Sequence, residues 1–224
     1  MSQADTKSTV KKSTPRKSWL PPKNILPMRL WQSWRRLQGR PLAMDKFVRT
    51  CECFDEKTCR VIIDLFENSQ VKERIENAGV PTFTQVNINS SGKADKFMQL
   101  LCYKIVEVIK EYKKDLPEFV NWFPDKFAFE ELRIKKYEPN SDDEFGLHVD
   151  VQDHQSAKRY LAFLVYLNDD FKGGETTFPY HNLTVKPETG TVLVFPPTWQ
   201  YPHRGMPVRS GSPKYIMSTY LHYQ

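Results

Sequence analysis

Long apolar stretches are missing from this 224-residue chain. No run of about 18 such residues occurs, so no segment is suited to cross a membrane as a helix. The start of the chain also lacks the apolar core and small-residue cleavage site of a secretory signal. Cysteine is scarce: Cys51 and Cys53 form a C-x-C pair that no second pair answers, and Cys59 and Cys102 stand apart. That spacing excludes a zinc ribbon or finger. Reduced thiols in a cytoplasmic setting are expected. Apolar residues reach only 39%, but 14 Phe, 5 Trp and 10 Tyr supply large rings for a core. A chain of this length buries roughly 70% of its unfolded surface, so disulfide staples are not required.

Acidic residues are nearly absent from residues 1–44, which hold ten Lys or Arg and one acid, Asp5. The net of +9 there, against +6 for the whole chain, leaves −3 on the remainder. This stretch is rich in Ser, Thr and Pro and cannot bury enough apolar surface to offset its ordering entropy, so it reads as a flexible arm. Within it, Leu30, Trp31, Trp34 and Leu37 fall on one helical face, with Arg29, Arg35, Arg36 and Arg40 nearby. A short amphipathic helix there would dock on its own domain or meet a membrane surface, nucleic acid or a partner. Residues 45–224 are expected to form the folded domain.

Asp55 is placed to cap a helix whose Cys59, Ile62, Ile63 and Phe66 recur at helical spacing. A second helix is expected over 94–114, with Phe97, Leu101, Ile105, Val108 and Tyr112 as its core stripe and Pro117 barring continuation. Residues 80–89 read as a strand or loop. After Pro124 the period becomes extended, with strands expected over 127–137, 159–167, 183–186, 191–195 and 214–223. The class is α+β, a β-sandwich or barrel whose N-terminal helices pack on one sheet.

The chemistry concentrates in His148-Val149-Asp150 and His203. In a strand, His148 and Asp150 would point to one face while Val149 turns away. Two imidazoles and a carboxylate make the facial triad of non-haem Fe(II) oxygenases, with open coordination positions for substrates. Lys214 opens the last strand, where Lys214, Ile216, Ser218 and Tyr220 share a face and the lysine could grip a carboxylate. Tyr137 and Tyr166 could add hydroxyl donors, and Arg209 is a competing cation in a Ser/Gly/Pro-rich segment. Strand parity also puts Arg133 and Lys135 on the Tyr137 face, which a dry pocket tolerates only if a bulge intervenes. Trp199 and Tyr201 could line a substrate entrance or only cap the barrel, and Asp142-Asp143-Glu144 reads as a solvated turn or as an acidic patch for a basic substrate segment.

The ordered set of motifs resembles the prolyl 4-hydroxylase-like branch of the Fe(II)/2-oxoglutarate dioxygenases. Tyr137-Glu138-Pro139 precedes His148-Val149-Asp150, and Tyr166-Leu167-Asn168 is followed by Gly173-Gly174-Glu175-Thr176-Thr177-Phe178-Pro179. Lys186-Pro187-Glu188-Thr189-Gly190 leads to Val194-Phe195-Pro196, then His203, Pro207-Val208, Gly211 and Lys214-Tyr215. Phe54 and Cys59-Arg60-Val61-Ile62 look like the family's opening element. The resemblance implies a double-stranded β-helix, or jelly roll. His148, Asp150 and His203 would bind Fe(II), Lys214 would hold the distal carboxylate of 2-oxoglutarate, and Tyr137 and Tyr166 would hydrogen-bond that cosubstrate. It implies O2-dependent hydroxylation coupled to decarboxylation of 2-oxoglutarate, with ascorbate as reductant and a peptidyl proline as the target. The His203-to-Lys214 spacing is one residue longer than usual, and Tyr220 stands where many relatives carry Trp. The same chemistry on a nucleic acid recruited by the basic arm, on another side chain or on a small molecule is an alternative. So is a silent 2-oxoglutarate and metal sensor.

Overall fold

The computed structural model describes residues 44–76, 81–88 and 95–224. The arm expected over residues 1–44, with its amphipathic helix, lies outside the described residues apart from Met44. In chain order the main elements are β1 (Arg49–Glu52), α1 (Glu56–Glu67), β2 (Glu73–Glu76), β3 (Thr82–Asn87), α2 (Asp95–Lys114), β4 (Phe127–Phe129) and β5 (Arg133–Tyr137). There follow β6 (Phe145–His148), β7 (Arg159–Tyr166), β8 (Phe171–Gly173), β9 (Thr176–Phe178), β10 (Leu183–Val185), β11 (Thr191–Phe195), β12 (His203–Gly205), β13 (Val208–Gly211) and β14 (Lys214–Tyr223).

Both helices form where the apolar spacing places them. Asp55 caps α1 by accepting a hydrogen bond from the Thr58 amide at 2.7 Å, relieving one of the unpaired N–H groups of the first turn. Cys59, Ile62 and Phe66 of α1 join Leu101, Ile105, Val108 and Tyr112 of α2 in one core. That core is closed by Ile134, Phe163, Val165, Val192, Val194 and Met217 from the large sheet. Its strand order is β1-β11-β7-β14-β5-β3-β2, with β4 also paired to β14. A smaller sheet runs β10-β9-β12-β6, and β13 pairs with β8.

Alternation along the central strands separates two interiors. On β14, Tyr215, Met217 and Leu221 face the helices. Lys214, Ile216, Ser218 and Tyr220 line a cavity on the opposite side. A second apolar cluster lies on that side, where Tyr137, Ala162, Tyr166, Leu193, Phe195 and Ile216 of the large sheet meet Phe178 of β9. The result is helices on the outer face of one sheet, with the smaller sheet closing over the other. At about 1.5–3 kcal/mol for each large apolar side chain buried, these two clusters dominate the favourable side of folding.

Residues 127–137 are two strands, not one. The break comes at Glu130, whose carbonyl accepts from the Thr219 hydroxyl at 2.8 Å while its amide donates to the Tyr220 carbonyl. The chain therefore pairs with the two ends of β14 in separate registers, Phe129 against Leu221 and Tyr137 against Lys214. At the 187–190 turn, Gly190 has φ +82°, and a Cβ there would come within 2.0 Å of the Phe54 carbonyl oxygen. Only glycine lets that turn press against the segment leading into α1. Among the described residues no helix is long and apolar enough to cross a membrane.

Candidate active site

β6 and β12 are neighbours in the small sheet, and their register sets His203 directly opposite His148. The two rings lie 4.3 Å apart between centroids. His148 is further fixed by Phe145, which stacks on it at 3.7 Å. Each imidazole places its Nδ1 against a backbone carbonyl: His148 against Gly146 at 2.7 Å, and His203 against Tyr201 at 3.1 Å. A carbonyl oxygen can only accept, so Nδ1 carries the proton and Nε2 keeps a free lone pair.

Asp150 supplies the third donor, though not from a strand. β6 ends at His148, and the chain turns there, with the Asp150 and Val151 amides both donating to the Pro197 carbonyl. Strand alternation is thus not what brings His148 and Asp150 together; the turn and its anchors do that. The Tyr220 hydroxyl donates to Asp150 Oδ1 at 2.8 Å, and Arg159 donates to the Asp150 carbonyl at 2.9 Å. Asp150 Oδ1 lies 3.4 Å from His148 Nε2, and Oδ2 lies 3.6 Å from His203 Nε2.

His148 Nε2 is buried without a hydrogen-bond partner, and such an orphan is costly unless something fills its lone pair. One donor atom from each of His148, Asp150 and His203 lies within 4.8 Å of the others. The donor set, two neutral imidazoles and one carboxylate, suits a first-row divalent metal such as iron. Burial pushes the Asp150 carboxyl up, but the two neighbouring imidazoles and the Tyr220 hydroxyl outweigh it and hold the group at about 2. Burial drives His203 down to about 4, so its ring is neutral and free to donate a lone pair.

The other expected residues separate. Lys214 and Tyr137 line the same inner cavity of about 40 Å³. Lys214 is buried and donates from Nζ to the Gly174 carbonyl at 2.6 Å. Burial pulls its ammonium down to about 7. Tyr137 is buried beside it, with the ammonium 5.3 Å from its ring centre. Tyr166, by contrast, does not line the cavity; its hydroxyl donates to Thr176 Oγ1 at 2.8 Å, and Thr176 forms part of the wall. Arg209 is exposed. The extra residue between His203 and Lys214 falls in a stretch that contains an irregular register at β13.

Three readings of the sequence are corrected. Asp143 is not part of a solvated turn: it is 1% exposed and accepts two hydrogen bonds from the Arg74 guanidinium and one from the Glu138 amide. Trp199 is 74% exposed and Tyr201 is buried, and neither lines the cavity or the groove outside it. No bulge interrupts the pairing of β5 with β14, so parity holds and Lys135 does enter the pocket. Its position was legible from strand alternation, but the pairing was needed to show that no irregularity turns it away. The supporting contacts of Tyr220, Arg159 and Thr176 had no signal of their own in the sequence.

Known proteins resemble this chain in sequence and in fold. A family model described as the 2OG-Fe(II) oxygenase superfamily matches residues 132–222. A putative prolyl 4-hydroxylase of Acanthamoeba polyphaga mimivirus is 43% identical over 65 residues, 25% of this chain, and the match spans about a quarter (27%) of that relative's length. Among solved structures, the viral collagen prolyl hydroxylase of Paramecium bursaria Chlorella virus-1, in complex with 2OG, superposes with a TM-score of 0.61 at 21% identity. That match covers 82% of this chain and 100% of the other. A Trichoplax adhaerens prolyl hydroxylase in complex with a peptide fragment of the hypoxia inducible factor oxygen degradation domain also gives 0.61, at 13% identity over 88% of this chain and 94% of that one. At these identities the superpositions establish the shared fold.

Proposed function

We propose, from the match of residues 132–222 to the 2OG-Fe(II) oxygenase superfamily, that this protein hydroxylates a prolyl residue in a peptide, consuming 2-oxoglutarate and O2. The observation that carries the reading is the buried, unpartnered Nε2 of His148 facing Asp150 and His203, each imidazole already held in the tautomer a metal requires. His148, Asp150 and His203 would hold Fe(II). Iron bound there supplies the activation of O2 that couples decarboxylation of 2-oxoglutarate to insertion of oxygen into a C–H bond. In the balanced reaction one oxygen atom ends in succinate and the other in the hydroxylated product, with CO2 released.

The chain's own residues orient and shield. Tyr220 and Arg159 keep the Asp150 carboxylate turned to the imidazoles. Lys214 is suited to the distal carboxylate of 2-oxoglutarate, because its ammonium is buried and spends one donor on Gly174. Gly174 itself has φ +73°, and a Cβ there would press on Phe171 at 2.7 Å and on the Lys214 stem at 3.1 Å. Tyr137 would offer its hydroxyl from the same wall, and Tyr166 would act through Thr176. An outer groove of about 820 Å³ shares Lys135, Phe145, His148, Asp150 and Tyr220 with the inner cavity, and gives a peptide its approach. The prolyl target rests on the named relatives. Ascorbate as reductant, and a cytoplasmic location consistent with four free thiols, belong to the same proposal.

The test is incubation of the protein with Fe(II), 2-oxoglutarate, O2 and proline-containing peptides, with succinate release and peptide mass both followed. A gain of one oxygen on proline, in step with succinate, is the expected result. Hydroxylation confined to free amino acids or other small molecules would overturn the peptide assignment.

A further inference from the structure

Lys135 is a second buried cation in the pocket. It lies on the inner face of β5, is 9% exposed, and lines both the inner cavity and the outer groove. Its Nζ sits over two aromatic faces, 5.0 Å from the centre of Phe83 and 5.4 Å from that of Phe145. Phe145 in turn stacks on His148, so a single ring separates the ammonium from a proposed metal ligand.

The other cations facing these spaces have partners. Arg133 and Arg159 are tied to Glu130, Lys214 to the Gly174 carbonyl, and Lys158 is exposed to water. Lys135 has no oxygen partner among the described residues. Asp150 is the carboxylate that acts most strongly on it, yet a metal bound by the triad claims that group. The distal carboxylate of 2-oxoglutarate is accounted for by Lys214. A buried cation left in that position is costly unless the occupant of the groove brings an anion.

We propose that Lys135 is a specificity-determining residue that selects substrates carrying a carboxylate beside the target carbon. The inference rests on the hydroxylase reading above and deepens it. The two aromatic faces under the ammonium, tilted 47° to each other, accept no hydrogen bond as strong as a carboxylate's and leave its donors free to turn toward the groove, where a carboxylate can accept them directly. That carboxylate can be an acidic side chain flanking the target residue or the free C-terminus of the peptide.

The experiment uses the full-length protein with Mn(II) and 2-oxoglutarate and measures peptide affinity by fluorescence anisotropy. Matched proline peptides carry Glu, Gln or Lys next to the target, and a second pair ends at the target as free acid or amide. At least one carboxylate form should bind about tenfold or more tightly than its neutral match, and the two sets tell which source is used. K135M should abolish that preference, K135R should keep it, and neither should shift the affinity for 2-oxoglutarate. Equal affinity across all peptides, including none, overturns the inference without any variant. So does a weakened 2-oxoglutarate affinity in K135M with peptide selectivity intact, because Lys135 would then serve the cosubstrate. Hydroxylation is scored separately with Fe(II). Charge-selective binding without hydroxylated proline refutes the prolyl reading alone, whereas hydroxylation indifferent to charge refutes this inference alone.

Discussion

Replacing Tyr220 with Phe tests how the metal centre is positioned. The substitution removes one oxygen atom, the donor to Asp150 Oδ1 at 2.8 Å. The ring remains under the Arg159 guanidinium, which lies 4.1 Å from its centre, so packing is preserved. A hydrogen bond to a charged group contributes about 1.5–3 kcal/mol. Loss of a partner that orients a metal ligand costs about 10–100-fold in affinity, which is about 1.4–2.8 kcal/mol. The two figures agree, so most of the lost bond should appear in metal binding. The assay is titration of wild type and Y220F with Mn(II) by isothermal calorimetry, with thermal melts of both metal-free proteins. We expect a metal Kd raised about tenfold to a hundredfold and a similar melt. A metal Kd within about twofold of wild type in a well-folded Y220F would refute the argument that Tyr220 holds the carboxylate in place.

Two other predictions concern stability. Burial pushes the Glu130 carboxyl up, but Arg159, His222 and Arg133 overcome it and hold the group at about 2. Its folded pKa lies below the unfolded value of about 4.3, so its contribution is present above that pH and is lost as pH falls toward about 2. Urea melts across this window should be flatter for E130Q than for wild type, and identical slopes would exclude Glu130 as an acid-sensitive element. Gly190→Ala forces a Cβ onto the Phe54 carbonyl at φ +82° and should cost about 1–2 kcal/mol from the backbone conformation alone, with more from the contact. Chemical denaturation checks this, and an unchanged midpoint would show that the turn can relax away from Phe54.

Much of the architecture was legible from local pattern. The spacing of Cys59, Ile62 and Phe66, the capping Asp55 and the stripe from Leu101 to Tyr112 set both helices, because each amphipathic face buries itself in the same way in the sequence and in the fold. The last strand was readable for the same reason: Lys214, Ile216, Ser218 and Tyr220 alternate with an apolar set that packs under the helices. Glu130 was not readable. Its break in the strand depends on Thr219, Arg159 and His222, which are remote in the chain and leave no periodicity around it. Asp143 likewise looked like one acid in a polar turn until Arg74 arrived from β2.

Residue identity, together with the ordered motifs around them, made His148, Asp150, His203 and Lys214 candidates, since the donor chemistry belongs to the side chains themselves. How those groups meet is a matter of long-range pairing. β12 must lie against β6 to oppose the imidazoles, a turn anchored on Pro197 must swing Asp150 inward, and Tyr220 must cross from β14 to hold it. The pairing of β5 with β14 decided that Lys135 faces the pocket, and the Tyr166 hydroxyl meets Thr176 of the pocket wall. A strand's alternation says which residues share a face; only the packing of the sheets says what that face looks at.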